Sequence, residues 1–269
     1  MNGITPIRDE EFEQFRRLIY EVAGISMAPE KKLLVASRLG KRVLHFGLET
    51  FGEYFKLVTS RQEAGEFQIL VDLLTTNETY FYREPQHFEF LQQVVLKQWR
   101  GQKFRVWSAG CSSGEEVYTL SMVLSETLST NGWEVFGSDI STRMLEKCNS
   151  AVYPVSRLQN MPESQLKKYC LKGVRKNEGM ILIDRNLRTH CRFQQINLME
   201  HLPDVGLFEV IFIRNVMIYF DAQTKKKVVA NLARHLKPGG YLIVSHSETL
   251  HGLSDRFSMV RPSIYRLKA

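Results

Sequence analysis

The chain has 269 residues, 43% of them apolar, and Lys and Arg outnumber Asp and Glu by 36 to 29, a formal charge of +7. That apolar content can build one large domain or two smaller ones, while no apolar run approaches the roughly 18 residues of a membrane-spanning helix. The opening MNGITPIRDEEFEQF is acidic and lacks a signal-peptide core, so a soluble, cytoplasmic protein is expected, with a surface that draws an acidic partner: nucleic acid, an acidic protein or an anionic membrane face.

From Asp9 to about Tyr80 the pattern is helical. FEQFRRLIYEVAG, PEKKLLVASRLGKRVLHFG, TFGEYFKLV and EFQILVDLLTTNETYF follow one another, separated by Gly, Ser or Pro, and predict a small all-helical domain over residues 1–75. In the second helix Lys31, Arg38 and Arg42 fall within roughly 40° of one another at 100° per residue, beside the apolar Ala36, Leu39 and Val43. Such a helix either exposes a solvated face above a packed one or presents its charges to an acidic partner. Residues 76–100 read as a linker and helix leading into a second domain.

From Lys103 onward strand and helix alternate. KFRVWSA, WEVFGSD, FEVIFIRN and GYLIVSHS are short apolar runs suited to buried parallel strands, separated by helical stretches such as EEVYTLSMVLSETL and AQTKKKVVANLARHL. This predicts a doubly wound α/β domain over residues 101–269. Ligands in such sheets bind beyond the carboxyl ends of the strands, which should bring together Ala109 to Glu116, Asp139, and Arg214 to Tyr219. Between about 155 and 195 the alternation is interrupted: PESQLKKYCL looks helical and GMILIDRNLRTHCRFQQINL looks like short antiparallel strands, a small β insertion. Cys111, Cys148, Cys170 and Cys191 lie far apart with no C-x-x-C, and the histidines form no ligand spacing, so no metal is expected.

Within this frame VWSAGCSSGEEVYTL, residues 106–120, reads as a strand, a loop of small residues and a helix opening on two carboxylates. A bare loop of this kind would favour phosphate, but Glu115 and Glu116 occupy that place, and the loop is not G-x-G-x-x-G. The second strand ends in Asp139, where an acidic side chain can accept both hydroxyls of a ribose. A nucleoside ligand without pyrophosphate fits this set. S-adenosylmethionine is the common case, and its cationic sulfonium and ammonium groups make nearby carboxylates favourable.

LLTTNETYFYREPQHF, VWSAGCSSGEEVY, GSDIS, INL and FIRNVMIYF, in this order and spacing, resemble the chemotaxis receptor glutamate methyltransferases of the CheR type, over nearly the whole chain. The resemblance implies a helical domain followed by a Rossmann-like class I methyltransferase domain, with S-adenosylmethionine as cofactor and S-adenosylhomocysteine as product. It implies cofactor contacts at Asn77, Thr79 and Arg83, at Glu116 or its neighbour Glu115 for the methionine part, at Asp139 for the ribose, at Asn197 and Leu198 around the adenine, and at Asn215 and Val216. It places Arg83 and Tyr219 to orient the substrate carboxylate. The implied substrates are glutamates on chemoreceptor cytoplasmic helices, toward which Lys31, Arg38 and Arg42 would steer. A receptor C-terminal peptide is implied at the β insertion, where Arg185 and Arg188 could meet its carboxylate, although the loop LKGVRKNEG is bulkier than in members that bind such a tether. A monomer is expected.

The residue types suit that chemistry. A glutamate with an ordinary pKa of about 4.3 is already an anionic nucleophile at neutral pH and needs no general base. One guanidinium and one phenol are then sufficient to orient it. Each residue also has a structural reading: Asp139 as a helix N-cap, Asn77 or Thr79 as the cap of a helix starting near Tyr80, Arg83 and Glu84 as a surface ion pair, Tyr219 as core. Two rivals use the same cofactor fold. A nucleic-acid methyltransferase suits the charge, but RNVMIY stands where an NPPY-type segment would flank an extruded base. A catalytically silent S-adenosylmethionine sensor would have no use for Arg83 and Tyr219.

Overall fold

The computed structural model describes residues 5–128 and 132–268. Four helices form the first domain: α1 (Asp9–Ala23), α2 (Lys32–His45), α3 (Phe51–Ser60) and α4 (Glu66–Leu74). Their apolar residues recur every three or four positions, and the resulting stripes meet in one core: Phe12, Phe15 and Ile19 of α1, Val35, Leu39 and Val43 of α2, Tyr54 and Val58 of α3, Leu70 and Leu74 of α4. The caps follow the sequence. Asp9, Glu10 and Glu11 sit at the positive end of α1, and Gly24 ends it in the left-handed conformation at φ 70°.

α4 stops at Leu74, short of the helical pattern that runs to Phe81. Thr75 is extended at ψ 153°, its hydroxyl donates back to the Asp72 carbonyl, and the Asn77 amide donates to the Thr75 hydroxyl. Such local bonds compete with helix continuation, so TTNETYFYRE runs as irregular chain. No helix starts near Tyr80; α5 (Gln86–Phe90) begins after Pro85 and continues as a π-helical turn over Leu91–Leu96.

The second domain contains β1 (Phe104–Ala109), α6 (Glu115–Thr127), β2 (Trp133–Asp139), α7 (Thr142–Ser150), β3 (Val152–Pro154), α8 (Glu163–Tyr169), β4 (Cys170–Lys172), β5 (Met180–Ile183), α9 (Arg185–Arg188), β6 (Cys191–Gln195), β7 (Phe208–Phe212), α10 (Ala222–Leu232), β8 (Leu236–Ile243), β9 (Phe257–Arg261) and β10 (Ile264–Leu267). Seven strands form the main sheet in the order β6-β2-β1-β7-β8-β10-β9. The first five run parallel, and β10 and β9 close the edge antiparallel. Two apolar clusters, one containing Val106 and Phe212 and the other Trp107 and Ile211, pack on the two faces, as the alternation of side chains along a strand requires.

The insertion is smaller than the sequence pattern suggests. Its antiparallel sheet is β3-β5-β4, whereas CRFQQ is β6, a parallel edge strand of the main sheet paired with β2 from Val135–Cys191 to Asp139–Gln195. Cys191 and Phe193 alternate with Arg192 and Gln194, and a half-buried edge strand reads the same in either sheet.

Candidate active site

The parallel strands β1, β2 and β7 all deliver their carboxyl ends to one side, and the chain turns there on positive-φ residues: Gly110 at 81°, Ser112 at 49°, Gly114 at 95° and Asn215 at 59°. At Gly110 an added Cβ would stand 2.5 Å from Val216 Cγ2, so glycine is needed both for the turn and for the close approach of the two strand ends. Around them opens a cleft of about 960 Å³. Asn77, Thr79, Arg83, Glu116, Asp139, Asn197, Leu198, Asn215, Val216 and Tyr219 all line it. Eight of the ten come from the two segments that follow β6 and β7 and from the irregular segment after α4, elements far apart in sequence.

Asp139 is 7% exposed. One carboxylate oxygen accepts the Ser112 amide at 2.8 Å and the other the Ser141 amide at 2.9 Å, while the N-cap of α7 is Ser141, whose hydroxyl accepts the Met144 amide. Asp139 therefore shapes the turn and faces the cleft but does not cap the helix. Burial raises its pKa, and the two amides oppose that shift.

The two glutamates of the loop separate cleanly. Glu115 is buried away from the cleft, accepting the Ser113 hydroxyl at 2.6 Å, with burial raising its pKa. Glu116 lines the cleft. It accepts the Ser108 hydroxyl at 2.7 Å on one oxygen and the Arg214 guanidinium at 2.9 Å on the other.

Arg83 is half-buried; it donates to the Glu78 carbonyl at 2.9 Å and lies over the Tyr80 ring, so it is no partner of Glu84. Glu84 pairs with Arg214 instead, at 3.2 Å. Thr79 and Asn77 contribute carbonyls to the packing: Arg157 donates to the first and the Ser112 hydroxyl to the second. Asn215 holds its left-handed backbone because its amide, like that of Ile218, donates to the Glu248 carboxylate. Arg214 and Glu248 have no motif spacing to mark them; Arg214 lay inside the convergent segment expected from the strand order, but only its buried pairs distinguish it.

The helical domain roofs the cleft. Ala23 and Ile25 line it, the Asn197 side chain donates to the Val22 carbonyl at 2.7 Å, the Ser26 amide donates to the Tyr219 carbonyl at 2.8 Å, and the Tyr20 hydroxyl donates to Asp221 at 2.6 Å.

The donor set fits S-adenosylmethionine. Asp139 offers a buried carboxylate for a diol, Ile140, Ile196, Leu198 and Phe220 offer apolar walls for a base, and Glu116 offers a charge for a cationic end. Phosphate is disfavoured by these two carboxylates. Behind the cleft, Glu84, His87 and His246 bring ligand atoms within 4.8 Å of one another, the single such group among the described residues. The Arg214 guanidinium already occupies the cation's place beside Glu84.

The basic helix is less uniform than its pattern. Lys31 is exposed before α2. Arg38 donates to the carbonyls of Leu74 and Thr75, and Thr75 lines the cleft. Arg42 is committed within the domain: its fork is bidentate to Glu66, which also accepts the Tyr54 hydroxyl. Arg38 and Arg42 line a second groove with Lys41, His45, Arg143 and Asp72, where α2 and α4 meet α7; sequence spacing could not bring in Arg143.

Two family models match the chain, the CheR methyltransferase all-alpha domain over residues 10–75 and the CheR methyltransferase SAM binding domain over residues 77–266. Among curated proteins it is similar to the chemotaxis protein methyltransferase of Escherichia coli K12, 39% identical over 97% of this chain and 92% of the relative. That of Salmonella typhimurium LT2 is 37% identical over 97% and 91%, and chemotaxis protein methyltransferase 2 of Pseudomonas aeruginosa PAO1 is 37% identical over 95% and 92%. The chain belongs to the CheR methyltransferase family, and its cofactor is S-adenosylmethionine.

Proposed function

We propose that the protein transfers a methyl group from S-adenosylmethionine to glutamate side chains on the cytoplasmic helices of chemoreceptors, forming methyl esters. The observation that carries this reading is the convergence of Asp139, Glu116, Arg83 and Tyr219 in a single cleft with a basic groove beside it. The names of the full-length relatives support the chemotactic setting.

When bound, the cofactor supplies an electrophilic methyl on a cationic sulfur. Asp139 would hold its ribose diol, Asn197 and Leu198 would flank the base, and Asn77, Thr79, Asn215 and Val216 would close the sides. Arg83 and Tyr219 would hold the incoming carboxylate. The nucleophile is already ionised, so these side chains work by orientation and partial desolvation rather than by proton transfer. A guanidinium and a phenol together leave one carboxylate lone pair free for attack.

Lys31, Arg38 and Arg42 would steer an acidic helix; in the groove, Arg38 is joined by Lys41 and Arg143, while Arg42 is held by its pair with Glu66. An edge strand of the small β3-β5-β4 sheet, with Arg185 and Arg188 just past β5, would take a receptor's C-terminal peptide. The protein would act in the cytoplasm as a monomer.

Incubation with methyl-labelled cofactor and receptor cytoplasmic fragments tests the reading. Label should enter the fragment and leave as methanol on mild alkali, as an ester does, and should fail to enter a fragment whose acceptor glutamates are alanine. Base-stable label, or label entering RNA instead, would reject it.

A further inference from the structure

Arg214 joins three parts of the chain at the cleft. It ends β7's approach to the cleft, yet its side chain is only 2% exposed, with the guanidinium stacked over the Phe88 ring. One nitrogen donates to Glu116 at 2.9 Å. The other donates to the Arg83 carbonyl and stands 3.2 Å from Glu84. The strand end, the first turn of α6 and the segment that carries Arg83 are thus pinned to one planar group.

The charges explain why a cation is needed there. Glu116 and Glu84 both lie within ion-pair reach of Arg214. Without it, both carboxylates would lose the cation that each of them contacts. With it, the orientation of Glu116 is fixed from both ends, by Arg214 on one oxygen and the Ser108 hydroxyl on the other. His87, beneath Glu84, adds no charge, because burial and Arg214 keep its imidazole neutral.

We infer that Arg214 is a positioning residue for the amino-acid end of the cofactor: it holds the Glu116 carboxylate aimed at the cofactor's ammonium, and ties Arg83's backbone to the same point. This rests on the cofactor placement proposed above. It does not extend to the nucleoside end, whose residues Asp139, Leu198 and Ile196 make no contact with Arg214 among the hydrogen bonds and ion pairs of the described residues.

The discriminating measurement is calorimetric binding of two ligands to the full chain: S-adenosylhomocysteine, which has the amino-acid arm, and 5′-methylthioadenosine, which lacks it. Arg214→Lys keeps the charge and loses the fork. It should weaken S-adenosylhomocysteine roughly tenfold, the scale of one charge-assisted bond, and leave methylthioadenosine within about twofold. Ser108→Ala removes the other support of Glu116 and should give the same selective loss in milder form, which keeps the test open if Arg214→Lys does not fold. Equal weakening of both ligands, or no change in either, overturns the inference. Wild-type protein that binds neither ligand would instead refute the cofactor placement itself.

Discussion

Asp139→Ala removes the acceptor of two backbone amides together with the carboxylate that faces the cleft, so two effects are expected from one substitution. Affinity for S-adenosylhomocysteine should fall by at least about 2 kcal/mol, from the loss of two charge-assisted bonds. Thermal stability should fall as well, because the Ser112 and Ser141 amides lose their partner. Asp139→Asn keeps one acceptor oxygen, and calorimetry on both variants should find it intermediate in affinity. A folded alanine variant with unchanged affinity would take Asp139 out of the site. His87 gives a pH signature. Burial, with Arg214 and then His246 adding to it, pushes its imidazole from 6.5 down to about 3; among the described residues, the acidic group that faces it is Glu84, 3.4 Å away. The unfolded chain takes up a proton near pH 6.5 that the folded chain refuses. Stability from this residue is therefore complete above pH 6.5 and is lost as pH falls toward 3. Between pH 6.5 and about 4.5 the loss should be roughly 2 kcal/mol, and urea titrations of His87→Gln across that range should lack it.

At the scale of elements, α2 shows how a periodic pattern can locate a face without separating its jobs. The angular cluster of Lys31, Arg38 and Arg42 is real as spacing, but Arg42 neutralises a glutamate that is 3% exposed, and Arg38 satisfies the carbonyls that end α4. Arg42→Glu should therefore destabilise the helical domain by about 3 kcal/mol or more, since it strands a buried carboxylate opposite a new one. Lys41→Glu, on an exposed neighbour, should leave Tm nearly unchanged while raising the apparent KM for a receptor fragment and flattening its salt dependence. Parallel salt curves for Lys41→Glu and wild type would make the face a solvated one. The pattern is strongest where burial imposes it, in the four helices of the first domain and the four parallel strands β1, β2, β7 and β8. It failed where polar side chains compete with the backbone, at Thr75 to Asn77. It was ambiguous at β6, because edge strands of different sheets share one alternating pattern. Cleft-lining residues at strand ends are legible from topology. Arg214 and Glu248 were not, since what marks them is the partners that folding brings across long sequence separations.

The molecule as a whole is two domains meeting at a ligand-sized gap. Gly24 sits at the joint: it has φ 70°, and an added Cβ would lie 2.6 Å from Met199 Sδ and 2.9 Å from Thr224 Cγ2. Gly24→Ala combines left-handed strain with overpacking, and should cost about 1–3 kcal/mol. Because the displaced surface is the roof, cofactor affinity should fall with stability; an alanine variant with lower Tm and unaltered S-adenosylhomocysteine binding would show that the roof bears no load on the ligand.

That roof has a thermodynamic corollary. Ala23 and Ile25 belong to one domain and Asp139 and Asn215 to the other, so a ligand in the cleft touches both and must favour the arrangement in which they are joined. Whatever factor the closed arrangement contributes to ligand affinity, the ligand returns to closure. A partner that grips α2 and draws the helical domain away or inward would thereby change the hold on S-adenosylmethionine relative to S-adenosylhomocysteine only to the extent that the two ligands differ in their preference for the joined state.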